Sequence, residues 1–223
     1  MQLLCISVCI CLQQFRSARD ILFKLALPLD IMSKEIVLIG RSNVGKSTLF
    51  HKLTGKKVKI GRRPGITQYP FKVKVGEVFY VDMPGYGFMF KSTPADQEKI
   101  KDLIIEYFEN HADEIILAIQ VIDAASFLDI AERWEGRGEV PMEIELWEFL
   151  NDLGLDAVLA ANKMDRIAKA DLNGVLDLIS ERLGMLPPWS QWTDKIAPIS
   201  AKRGQIEPLR RIIAKKPIGR SPG

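Results

Sequence analysis

The stretch Glu35-Ile36-Val37-Leu38-Ile39-Gly40-Arg41-Ser42-Asn43-Val44-Gly45-Lys46-Ser47-Thr48 decides the fold, together with Leu49-Phe50-His51-Lys52-Leu53 after it. A short apolar run enters a G-x-x-x-x-G-K-S loop, and a helical pattern leaves it. Strand, glycine-rich loop and helix form the context that a phosphate-binding P-loop requires. The glycines let the backbone curl so that successive N–H groups point at phosphate oxygens, and the helix N-terminus adds partial positive charge. Lys46 is the candidate to reach the β- and γ-phosphates, and the Ser47 hydroxyl the candidate ligand of Mg²⁺. Gly40, Arg41, Ser42, Asn43, Val44, Gly45, Lys46, Ser47 and Thr48 are thus the first candidate nucleotide-binding residues. The competing reading is an incidental Gly-rich turn, against which stand the strand and the intact Gly45-Lys46-Ser47 triplet.

Outward from this stretch, the chain of 223 residues suffices for one α/β domain with appendages. Its 47% hydrophobic and 26% charged content is that of an ordinary globular protein. A net charge of +3 does not by itself demand a polyanionic partner, although the basic residues cluster. The three cysteines, Cys5, Cys9 and Cys11, all fall near the N-terminus, so the presumptive domain has neither a disulfide framework nor a cysteine metal site. A reducing cytoplasm fits.

Residues 1–32 are read as an N-terminal extension. Leu3 to Leu12 is apolar apart from Ser7, a run too short to span a membrane. It lacks a basic leader, and Arg16 and Arg19 stand where a cleavage site would be needed. Membrane association, an extra helix and untranslated upstream codons remain as readings. Met32-Ser33-Lys34, directly before the first strand, favours the last, with stable membrane insertion not expected.

Downstream, Gly55 closes the first helix, and Lys56-Lys57-Val58-Lys59-Ile60-Gly61-Arg62-Arg63-Pro64-Gly65-Ile66-Thr67 reads as a loop without period. Thr67, with Gly65 and Ile66 before it, occupies the place of a first switch. Its hydroxyl would ligate Mg²⁺ and its N–H would meet the γ-phosphate, whose loss would free the loop. A solvated loop with an incidental threonine is the bland alternative. Phe71–Val75 and Val78–Val81 alternate as a hairpin, delivering Asp82-Met83-Pro84-Gly85 at a strand end. Asp82 would hold Mg²⁺ through water, and the Gly85 N–H would bond the γ-phosphate. Thr93, Pro94 and Asp96 open a helix, and Ile115 to Ile122 reads as a strand buried on both faces. The segment Trp134-Glu135-Gly136-Arg137-Gly138 reads as irregular surface. A helix from Met142 to Leu153 follows, with Gly154 ending it.

The buried-strand pattern Ala157–Ala161 runs into Asn162-Lys163-Met164-Asp165. Asp165 can accept the N1 and N2 hydrogens of guanine, a donor pair that adenine lacks. Asn162 would brace the base and the loop, and the Lys163 stem can lie along the purine. After a last strand, Ser200-Ala201-Lys202 offers backbone N–H groups to guanine O6. Trp189 and Trp192 read as packing residues rather than as a base-stacking site.

The wording of these motifs narrows the family. Gly40 to Ser47, then Arg63-Pro64-Gly65-Ile66-Thr67-Gln68, then Asp82-Met83-Pro84-Gly85-Tyr86-Gly87-Phe88, resembles the EngB (YihA) GTPases of the TrmE-Era-EngA-YihA-septin-like superfamily. Arg133-Trp134-Glu135 resembles the archaeal-type branch. The resemblance implies a P-loop NTPase G domain over residues 33–216, with a basic tail at 217–223. It implies a mostly parallel six-stranded sheet with helices on both faces. It also implies GTP or GDP bound with Mg²⁺ through Ser47, Thr67 and Asp82, and GTP hydrolysis in which Lys46, Thr67, Gly85 and Asn43 act. Ras-like enzymes place a water-orienting glutamine where this chain has Tyr86, a poor base with a reference pKa of about 10. Slow hydrolysis is therefore expected, with repair by K⁺ held at Asn43 or by a partner in trans. The implied role is a cytoplasmic, monomeric switch in large ribosomal subunit assembly, touching a ribosomal subunit or rRNA, or in cell division and septation. A membrane or trafficking switch is the alternative.

Overall fold

The computed structural model describes residues 33–56, 69–87 and 93–217. Expectations for residues 1–32, for the basic loop with Gly65, Ile66 and Thr67, for Phe88 to Phe90, and for the last six residues lie outside them. A compact unit begins at Lys34.

Its elements run β1 (Lys34–Ile39), α1 (Lys46–Thr54), β2 (Phe71–Val75), β3 (Val78–Asp82), α2 (Pro94–His111), β4 (Ile115–Asp123), α3 (Phe127–Glu135), α4 (Met142–Asp152), β5 (Ala157–Asn162), α5 (Leu172–Arg182), β6 (Ile196–Pro198) and α6 (Glu207–Ala214). The six strands lie in the order β2-β3-β1-β4-β5-β6. Every pairing is parallel except β2 with β3, the hairpin that the alternating residues predict. The fold is thus the mostly parallel α/β sheet expected.

Period-two alternation in β1 divides the core. Ile36 and Leu38 enter a layer with Leu49 and Phe50 of α1 and Leu209, Ile212 and Ile213 of α6. Val37 and Ile39 enter the opposite layer with Phe108 of α2, Phe127 of α3, Leu150 of α4 and Ile179 of α5. Helices on both faces explain why β4 and β5 read as continuous apolar runs. The α2 start is a reciprocal cap: Asp96 donates its N–H to Thr93 Oγ1 at 3.2 Å, and Thr93 donates its own to Asp96 Oδ2 at 3.0 Å. Trp189 and Trp192 pack against the core, as read from the sequence. Among the described residues no helix is long and apolar enough to cross a membrane.

One sequence reading is corrected. Trp134 and Glu135, expected in irregular surface, end helix α3. Phe127, Ile130, Ala131 and Trp134 stand at i, i+3, i+4 and i+7, a helical stripe that buries Phe127 and Ala131. Four charged residues within nine positions mask that stripe.

Phe50 is fully buried and meets Phe71 edge-on, the ring centroids 5.8 Å apart. Phe50→Ala is expected to lower unfolding free energy by about 3–5 kcal/mol through lost burial and a residual cavity. Urea titration followed by circular dichroism measures it, and an unchanged midpoint would contradict the packing.

Candidate nucleotide site

The loops after β1, β3 and β5 and the turn after β6 gather at the carboxyl edge of the sheet, where ligands of open α/β sheets bind. The P-loop can lie there only because two of its residues lack side chains. A Cβ on Gly40 would stand 2.3 Å from the Val121 carbonyl oxygen of β4. Gly45 has φ +97°, and a Cβ there would stand 2.4 Å from Asn162 Nδ2.

The P-loop is tied to the adjoining segments residue by residue. The Ser42 N–H donates to the Tyr86 carbonyl at 2.8 Å, and the Ser42 hydroxyl to the Gly85 carbonyl at 3.3 Å. The Asn43 carbonyl accepts from Lys163 Nζ at 2.7 Å, and the Val44 carbonyl from Asn162 Nδ2 at 2.8 Å. The other end of the Asn162 carboxamide accepts the Ala201 N–H at 2.9 Å. Asn162 thus braces the two loops with both ends of its amide. The Asn43 side chain is exposed.

At the phosphate end, Lys46 Nζ lies 2.7 Å from Asp82 Oδ1 and donates to the Met83 carbonyl at 2.5 Å. The Ser47 hydroxyl donates to Asp82 Oδ2 at 3.2 Å. Lys46 and Asp82 are both buried, so each supplies the other's counter-charge. A hydroxyl and a carboxylate, both hard oxygen donors, fit Mg²⁺. Thr67, the third expected ligand, lies outside the described residues.

At the base end, Asp165 stands in a single 3₁₀ turn after β5, anchored by the Met164 N–H to the Ile199 carbonyl at 3.1 Å. Asp165 Oδ1 accepts the Ser200 hydroxyl at 2.5 Å, and Arg203 Nε lies 3.6 Å from Oδ2. The Ser200 hydrogen bond, aided by Arg203 and Arg166, holds the Asp165 carboxyl below its usual range. It therefore stays ionised, as an acceptor of guanine donors must, until pH falls through that lowered value. Of the three N–H groups expected for guanine O6, that of Ser200 donates to the Gln205 carbonyl and that of Ala201 to Asn162. The structure therefore brings together Gly40 to Thr48, Asp82 to Gly85, Asn162 to Asp165 and Ser200 to Lys202.

Two side chains missed by the sequence reading adjoin the P-loop. Glu143 of α4 is buried and lies 2.8 Å from Arg41 Nε, and its own carbonyl accepts Gln120 Nε2 at 2.6 Å. Asp123, the last residue of β4, lies 2.6 Å from Lys163 Nζ. Its signal was available: like Asp82 and Asn162 it is a polar residue terminating an apolar strand. Tyr86 is buried, and burial, reinforced by Glu143, pushes its hydroxyl well above the ordinary phenol value. It is no base.

Comparison with known proteins fits this geometry. Residues 35–163 match the family described as 50S ribosome-binding GTPase. The chain is 49% identical to the probable GTP-binding protein EngB of Methanopyrus kandleri over 77% of this chain and 85% of that one. It is also similar to the crystal structure of a probable GTP-binding protein engB, with TM-score 0.75 and 40% identity over 81% of this chain and 97% of that one. Era in complex with MgGDPNP and nucleotides 1506–1542 of 16S ribosomal RNA shares the fold, with TM-score 0.60 and 22% identity over 86% and 59% of the two chains.

Lys46→Ala is expected to abolish turnover and also to destabilise the nucleotide-free protein by about 3–5 kcal/mol, because Asp82 is left buried without its counter-charge. Denaturant titration without nucleotide checks the second effect. Asp165→Asn mismatches one guanine donor, and GTP affinity should fall at least ~10²-fold in a fluorescent-nucleotide titration.

Proposed function

Since the chain belongs to the EngB family of GTP-binding proteins, we propose that it is a slow GTPase switch acting in large ribosomal subunit assembly. The observation that carries the ribosomal part is the match of residues 35–163 to the 50S ribosome-binding GTPases. Era, similar in fold, is held in its crystal with a piece of ribosomal RNA, which supports a ribosomal partner. The active form is read as a cytoplasmic monomer.

The P-loop N–H groups and Lys46 bind and orient the triphosphate, while Asp165 selects guanine. To bind phosphate, Lys46 would turn N–H donors now given to Asp82 and the Met83 carbonyl toward the phosphate oxygens. Asp82, whose Oδ2 already accepts the Ser47 hydroxyl, would with Ser47 and Thr67 hold Mg²⁺. The metal, when bound, neutralises charge developing on the β- and γ-phosphate oxygens. The Gly85 N–H holds the γ-phosphate.

Nothing in the Tyr86 side chain orients the attacking water, because the phenol is buried. This is the physical reason for slow turnover. The exposed Asn43 side chain, on a carbonyl-anchored residue, is suited to help hold K⁺ beside the phosphates. A cation there would stand in for an arginine finger, an element worth roughly 10³–10⁵ in rate.

Co-sedimentation with large ribosomal subunits, in a non-hydrolysable GTP analogue and in GDP, tests the role. Binding in one nucleotide state only is expected, and equal absence from subunits in both states would overturn it. Turnover should be faster in potassium than in sodium for the native protein and equal in both for Asn43→Ala.

A further inference from the structure

We propose that Asp123 is a positioning residue that couples the guanine-reading loop to the P-loop. Asp123 ends β4, and in the parallel β4–β5 register its Cα partner is Asn162, the first residue of the guanine motif. Its two carboxylate oxygens have separate tasks. Oδ1 accepts the Ala125 N–H at 3.2 Å and shapes the turn leaving the strand. Oδ2 takes the Lys163 ammonium at 2.6 Å, with the exposed Arg166 guanidinium 3.8 Å away. The same ammonium donates to the Asn43 carbonyl at 2.7 Å. Asp123, Lys163 and Asn43 therefore form one continuous charge-assisted chain from the strand end through the base loop to the P-loop.

The backbone at both ends of the lysine bond makes this chain more than an incidental ion pair. Among the described residues, Asn43 at φ +68° and Lys163 at φ +66° are the two non-glycine residues in the left-handed region. Side chains disfavour that conformation, and it persists only where neighbours over-determine it. Here the Lys163 ammonium holds the Asn43 carbonyl, and Asp123 holds that ammonium. Without the carboxylate, the Lys163 ammonium loses its counter-charge and turns toward water. The Asn43 peptide then loses the donor that fixes it beside the phosphates. Asp123 touches no nucleotide atom in this scheme and acts through Lys163.

The alternative is that Asp123 serves only its own turn. Asp123→Asn separates the two, because the amide keeps an oxygen for the Ala125 N–H but gives up the charge that holds Lys163. Release of a fluorescent GDP analogue from the full chain is the readout, with thermal melting as the check on folding. Asp123→Asn and Lys163→Met should each speed release about tenfold, the order expected when one charge-assisted hydrogen bond is lost. The double variant should release no faster than the faster single one, since both changes cut the same chain. In an Asn43→Gly background, where the left-handed backbone is unstrained, the effect of Asp123→Asn should shrink to less than about threefold. Multiplying effects in the double variant, or native release from Asp123→Asn, would overturn the proposal. The inference rests on guanine nucleotide occupying this pocket. A native protein that fails to retain the analogue would sink that reading as well, whereas retention with an indifferent Asp123→Asn sinks this proposal alone.

Discussion

A single buried carboxamide holds the two halves of the site in register. Asn162 is 2% exposed, and its oxygen and nitrogen reach chain segments 39 and 118 residues away. A buried amide left half-paired is costly, so satisfaction of one end makes the other end obligatory. The distance between the P-loop and the turn after β6 is thus set by the length of one side chain at the end of β5. Gly45 is a glycine because of that same side chain, since any Cβ would strike the Asn162 nitrogen.

The second constraint is electrostatic. Lys46 and Asp82 come from the first helix and the third strand, and neither charge is tolerable at such burial alone. The pair ties the start of α1 to the end of β3. It gathers an ammonium, a carboxylate and, through Ser47, a hydroxyl within hydrogen-bond reach of one another. The charges at the end of β3 therefore form a compensated set rather than isolated ions in a dry pocket. The α1 helix has no acidic residue in its first turn, which leaves its amino end open to anions.

Much of this was legible in the chain because each motif follows a strand whose pattern is unambiguous. Ile36 to Ile39, Val78 to Val81 and Ala157 to Ala161 declare themselves by alternation or by continuous apolar character, and their polar terminators then fall on one edge of the sheet. Helix α3 was obscured because its short apolar stripe is interleaved with Asp129, Glu132, Arg133 and Glu135. Glu143 carries no signal in sequence, since a glutamate on a helix is ordinarily solvated and only the tertiary approach of Arg41 makes its burial sensible. The partners that the Ser200 and Ala201 amides find within the chain, Gln205 and Asn162, are not legible in sequence either, because they follow from a turn geometry and a long-range contact.

The borders of the sheet carry a further consequence. Among the described residues, β2 forms one border, with Lys72 and Lys74 alternating along it, and β6 forms the other, only three residues long and ending in Pro198. Unpaired strand edges are templates on which other chains can add strands and aggregate. Lysines, brevity and a proline that lacks an N–H all frustrate such addition. With both described borders unsuited to strand addition, contact with other chains is left to the helical faces and the loop-bearing rim.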